Sequence, residues 1–119
     1  MLVDNGLNGF IVINDNLFKT TGKTTDLTSN IAELIQEELG LVNRCYMLDD
    51  THLEVCLFFI NNNISWPTAY NCQKYLKDVL NIDSYIKASG EQFTSICLTA
   101  YISKELQEQV KTYFRMKGY

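Results

Sequence analysis

At 119 residues, with 46% hydrophobic and 20% charged residues, one proline and six glycines, the chain has the size and balance of one domain around a single core, spanning residues 1–119, and is unlike disordered sequences. A formal net charge of -4 and a pI near 4.8 oppose non-specific attraction to phosphate backbones or anionic membranes and argue against nucleic acid as a partner. No apolar run approaches the roughly 18 residues of a membrane span, and the amino terminus lacks the basic and apolar regions of a secretory signal, so the expected location is the cytoplasm with no membrane partner.

In chain order, Phe10-Ile11-Val12-Ile13 is a β-branched run between Gly9 and the polar Asn14-Asp15-Asn16, and predicts a first, buried strand. The hydroxyl-rich loop Thr20 to Thr25, with Asp26, offers several caps for a helix. Leu27, Ile31, Leu34, Ile35 and Leu39 then recur at spacings of three and four, predicting a helix from Asp26 to Leu39 that Gly40 ends in a left-handed cap.

Asn43 to Asp49 and His52 to Ile60 read as a hairpin around Asp50-Thr51, with Leu53, Val55, Leu57 and Phe59 on one side. If Asp49 and His52 close the turn, Leu48 pairs with Leu53 and Cys45 with Cys56. Ser65 and Pro67 suit the start of a second helix whose apolar stripe is Ala69, Cys72, Leu76, Val79 and Leu80, ending near Asn81. A second hairpin joins Ser84 to Ala88 with Phe93 to Ile102 through Ser89-Gly90-Glu91, its core face being Thr94, Ile96, Leu98, Ala100 and Ile102. Ser103 caps a last helix with Leu106, Val110, Tyr113 and Phe114 on its apolar stripe.

The helix-and-hairpin pattern occurs twice, at Asn30 to Ile60 and at Asn71 to Tyr101, an offset of 41 residues. Only Asn30/Asn71, Leu39/Leu80, Cys56/Cys97 and Leu57/Leu98 are identical, so the pattern carries the reading rather than identity. The expected fold is a two-layer α+β domain of βαββαββα order, built from a duplicated helix–hairpin unit, with an antiparallel or mixed sheet of about five strands.

Few motifs carry chemistry. Gly22-Lys23-Thr24 stands between a predicted strand and helix, where a phosphate-binding loop would stand, but Leu17 replaces that loop's first glycine, and a capped helix entrance with a solvated lysine accounts for the residues. His52 beside Asp49 and Asp50 falls at a hairpin tip with no nucleophile adjacent. Cys45, Cys56, Cys72 and Cys97 are too far apart for a CxxC motif, and one histidine completes no conventional zinc signature, so buried free thiols and no metal or cofactor are expected. No enzyme activity is expected.

Leu7-Asn8-Gly9-Phe10-Ile11 resembles the opening of the LAGLIDADG homing endonucleases, whose fold also alternates helices with hairpins. Val12 and Asn14 occupy the places where that motif carries acidic metal ligands, so the resemblance implies no catalytic role here. The helix–hairpin order is similar to that of roadblock-type regulatory domains and of acidic, dimeric secretion chaperones, a likeness of architecture without a shared motif.

The sheet side away from the helices is expected to carry Cys45, Met47, Cys56, Phe58, Ile60, Cys97 and Tyr101, interrupted by Glu54, Ser95 and Thr99. So apolar a face is either covered by the last helix or used to bind another protein or a second copy of the chain. The expected function is a non-enzymatic protein-interaction module of adaptor, chaperone or inhibitor type, encoded in an AT-biased genome such as that of a phage or plasmid. A small-ligand or nucleotide-binding regulatory domain is the alternative.

Overall fold

Thr25 starts the first helix by a reciprocal exchange. Its hydroxyl accepts from the Thr28 N–H at 3.2 Å, while the Thr28 hydroxyl accepts from the Thr25 N–H at 2.8 Å, satisfying donors that a helix start leaves orphaned. The computed structural model describes residues 22–58, 66–89 and 95–119. The predicted first strand Phe10–Ile13, and with it Leu7 to Ile11, lies outside those residues, as do Phe59, Ile60 and Thr94.

Among the described residues the order is α1 (Asp26–Leu39), β1 (Val42–Met47), β2 (His52–Phe58), α2 (Trp66–Leu80), β3 (Ser84–Ser89), β4 (Ser95–Tyr101) and α3 (Lys104–Lys117). The fold is α+β, with three helices and a four-stranded antiparallel sheet of order β1-β2-β4-β3. No described helix is long and apolar enough to cross a membrane.

Each helix stops where a residue accepts positive φ. Gly40 (φ 67°) ends α1 and Gly118 (φ 90°) ends α3. Asn81 (φ 59°) ends α2, its N–H bonding the Lys77 carbonyl at 3.0 Å while the Ile82 N–H reaches back to Leu76 at 3.1 Å.

The predicted stripes face one common core. Leu27, Ile31, Leu34 and Ile35 of α1, Ala69, Cys72, Leu76 and Leu80 of α2, and Val110 and Phe114 of α3 are buried in the same cluster as Leu53, Val55, Leu57, Ile96, Leu98 and Ala100 of the sheet. Since α3 contributes to that cluster, it packs with α1 and α2 on one side of the sheet. The Gln107 side chain ties α3 to the first hairpin, its Nε2 donating to the Asp50 carbonyl at 2.7 Å.

The first hairpin departs from expectation by one residue. Met47 pairs with Leu53, Cys45 with Val55 and Arg44 with Cys56, in place of Leu48 with Leu53 and Cys45 with Cys56. The cause lies in the tip: the Asp49 carboxylate accepts from the N–H groups of Thr51 and His52, both at 2.8 Å, and the Leu48 N–H bonds the His52 carbonyl at 2.7 Å. The loop therefore holds Asp49, Asp50 and Thr51 instead of two residues. In a structure with a period of two, that slip turns every β1 side chain over. Cys45 and Met47, expected on the open face, are instead in the core under the helices, and Leu48 is 37% exposed.

This register predicts unequal effects of charge at neighbouring positions. Met47→Asp places a carboxylate in the core and should cost at least about 2 kcal/mol in urea unfolding, whereas Leu48→Asp should change stability by about 0.5 kcal/mol. Equal costs, or the larger at Leu48, would contradict the pairing.

Candidate functional site

The pleat sends alternate residues of all four strands to the side away from the helices. Arg44 and Tyr46 of β1, Glu54, Cys56 and Phe58 of β2, Cys97, Thr99 and Tyr101 of β4, and Tyr85 and Lys87 of β3 share this outer face, since Tyr46 stands opposite Glu54, Glu54 opposite Thr99, Cys56 opposite Cys97, and Cys97 opposite Lys87.

Glu54 is the centre of a bonded network and is only 8% exposed. The Tyr46 hydroxyl donates to its Oε1 at 2.6 Å, the Thr99 hydroxyl donates to Oε2 at 3.1 Å, and Lys87 Nζ approaches Oε2 at 3.2 Å. A desolvated carboxylate is tolerated when its lone pairs are met in this way. Burial, and then donation to Glu54, push the Tyr46 phenol far above the usual tyrosine range, so it remains a proton-bearing donor. Gly22, at φ 74°, lies against the Tyr46 ring and leaves no room for a Cβ, while the Arg44 guanidinium stands 5.2 Å from that ring's centroid.

Beside the carboxylate, Cys56 Sγ and Cys97 Sγ are 2.9 Å apart, and the Tyr46 hydroxyl is 3.7 Å from Cys56 Sγ. The Cys97 thiol bonding to Cys56 lowers the Cys56 pKa against the opposing effect of burial, and the same contact raises that of Cys97. That contact favours the thiolate form at Cys56 and the thiol form at Cys97. Cys56 is buried and Cys97 partly exposed. The other two thiols behave as hydrophobes: burial pushes Cys72 up to about 12 and raises Cys45 well above the ordinary thiol value.

Of the residues the sequence singled out, the structure brings Cys56, Cys97, Phe58 and Tyr101 to one face and takes Cys45 and Met47 to the other; Ile60 falls outside the described residues. Tyr46, Lys87 and Tyr85 were missed, and Glu54 and Thr99 were read only as interruptions. A signal was present in the identical pair Cys56/Cys97, because the 41-residue offset that aligns them is also the separation at which β2 and β4 set them opposite.

Two motifs resolve as local structure. The Lys23 N–H donates to the Met47 carbonyl at 2.8 Å and the Lys23 carbonyl accepts from Met47 at 2.9 Å, so this backbone extends the β1 edge. His52 Nδ1 is 2.9 Å from Asp49 Oδ1, and the tip N–H groups, Thr51 first, hold the Asp49 carboxyl down at about 2. A separate concavity of about 680 Å3 lies between the start of α1, the first hairpin tip and α3, where Lys23, Lys104, Lys111 and Arg115 face Asp26, Asp49 and Asp50.

Comparison with known proteins finds no matching family model, no similar curated protein and no similar solved structure.

The two pairs of thiols should separate chemically. In the folded, reduced protein a thiol reagent should modify the Cys56/Cys97 pair first, with Cys45 and Cys72 reacting only after denaturant is added, as followed by mass spectrometry of peptides. Early labelling of Cys45 or Cys72 would contradict the arrangement of faces.

Proposed function

We propose that the protein is a non-enzymatic interaction module, of adaptor, chaperone or inhibitor type, that holds a partner protein against the outer face of its sheet. The observation that carries this reading is the pair Tyr85 and Tyr101, 78% and 61% exposed, on adjacent strands of one face. Tyr85 stands opposite Thr99, so Tyr101 is its diagonal neighbour, with the His52 ring 5.6 Å from Tyr101 and Phe58 at the far end of β2. Tyrosines on a rigid sheet offer large amphipathic contact area at low cost in side-chain entropy, which is why they are enriched at interfaces. Cytoplasmic action suits four cysteines kept as thiols.

The face is narrower than the sequence suggested. With Cys45 and Met47 in the core and Tyr46, Glu54 and Cys56 buried on the outer face, a partner would meet the exposed Tyr85 and Tyr101 rings rather than a continuous apolar sheet. The small-ligand alternative moves to the concavity beside α3, where four cations and three aspartates would suit a ligand that carries both charges.

Tyr85→Ser combined with Tyr101→Ser should weaken capture of the partner about tenfold per residue, since truncating an interface anchor costs on the order of 1.4 kcal/mol. The comparison uses tagged wild type and double variant in the same extract, with circular dichroism confirming both folds and light scattering detecting a partner that is a second copy. Equal retention of the same partner by both proteins would contradict the assignment.

A further inference from the structure

We propose that Glu54, Cys56 and Cys97 form a binding site for a borderline-soft divalent cation of the zinc class, held on the outer face of the sheet by two thiolates and one carboxylate. One ligand atom from each residue lies within 4.8 Å of the other two. A tetrahedral zinc, with bonds of about 2.3 Å to sulfur and about 2.1 Å to oxygen, needs ligand atoms roughly 3.5–3.8 Å apart. The cluster brackets that spacing: the sulfurs, at 2.9 Å, must part by somewhat under 1 Å, and the carboxylate oxygen, within 4.8 Å of both, must close by no more than about 1.3 Å. Small side-chain rotations suffice. Binding replaces the thiol protons with the cation and releases them to solvent, as metal binding to thiols does generally.

Two features favour a cation over the other fate of a close thiol pair, a disulfide. First, Glu54 is oriented as a ligating carboxylate is: Tyr46 fixes Oε1, Thr99 and the Lys87 ammonium hold Oε2, and an incoming cation would take the place of that ammonium, whose side chain is largely exposed and free to swing to solvent. Second, Cys97 is partly exposed and gives solvent access, while both cysteines sit on paired, central strands that fix their separation. Thiolate donors select zinc, cadmium or cobalt(II) over magnesium and calcium, which take oxygen ligands. Three protein ligands leave a fourth position to water or to a group from outside the chain. The site was hidden in the linear sequence because its cysteines are 41 residues apart.

The test uses the full chain, reduced and freed of metal, titrated with Co2+ and followed by absorbance. The expected result is one cobalt per chain with a thiolate-to-metal charge-transfer band, bleached when Zn2+ is added. Cys97→Ser should lose the band, Glu54→Gln should bind at least tenfold more weakly, and Cys72→Ala, which alters a core thiol on α2, should retain both. Circular dichroism checks each fold. If Cys97→Ser does not fold, Glu54→Gln decides: weaker cobalt binding by that variant beside unchanged binding by Cys72→Ala supports the site, and equal binding by both overturns it. Absence of the band in protein with four free thiols overturns the proposal, as does a band that survives Cys97→Ser. Isolation of a Cys56–Cys97 disulfide that takes up no cobalt after reduction also overturns it and leaves a redox pair in its place.

Discussion

The constraint on which the rest depends is the pairing register of β1 on β2, and it is set at the hairpin tip by one carboxylate. Asp49 gathers the N–H groups of Thr51 and His52, and so makes the loop three residues long instead of two. Everything on β1 follows from that odd number. Cys45 and Met47 turn inward and complete the layer beneath α1, while Tyr46 turns outward to stand across from Glu54. Had the loop been one residue shorter, the phenol would lie among the leucines of the core and the carboxylate would lose its shortest hydrogen bond.

The second dependency is the compensation of Glu54. A carboxylate on the outer face of a sheet ordinarily stays in water, and this one is desolvated with donors from three different strands around it. Such a network ties the sheet together sideways, because Tyr46 comes from β1, Thr99 from β4 and Lys87 from β3. Removing any one donor leaves the others to satisfy a charge that burial already disfavours. The same convergence places Cys56 and Cys97 beside the carboxylate, so the polar network and the thiol pair are one feature of the fold.

The helices were legible because their information is local. The stripe Leu27, Ile31, Leu34, Ile35 and the glycine after Leu39 define α1 from Asp26 to Leu39, the observed bounds. The alternation of β2 and β4 is equally strong, and Leu53, Val55, Leu57, Ile96 and Leu98 are all buried as their period requires. By contrast, β1 reads Val-Asn-Arg-Cys-Tyr-Met, in which neither parity is clearly the apolar one. Its facing had to come from the loop length, and Asp49-Asp50-Thr51 is compatible with loops of two or three residues. The Glu54 and Cys56 half of the candidate site was visible as two same-side residues of one strand. The other half depends on which strand lies beside β2, and that is decided by tertiary packing.

The register is tested most directly by cross-strand nuclear Overhauser contacts in the folded protein. Backbone contacts should join Cys45 to Val55 and Arg44 to Cys56, with Tyr46 ring protons near the Glu54 side chain. Contacts that instead join Cys45 to Cys56 and Leu48 to Leu53 would contradict it, returning Cys45 to the outer face and removing Tyr46 from the carboxylate.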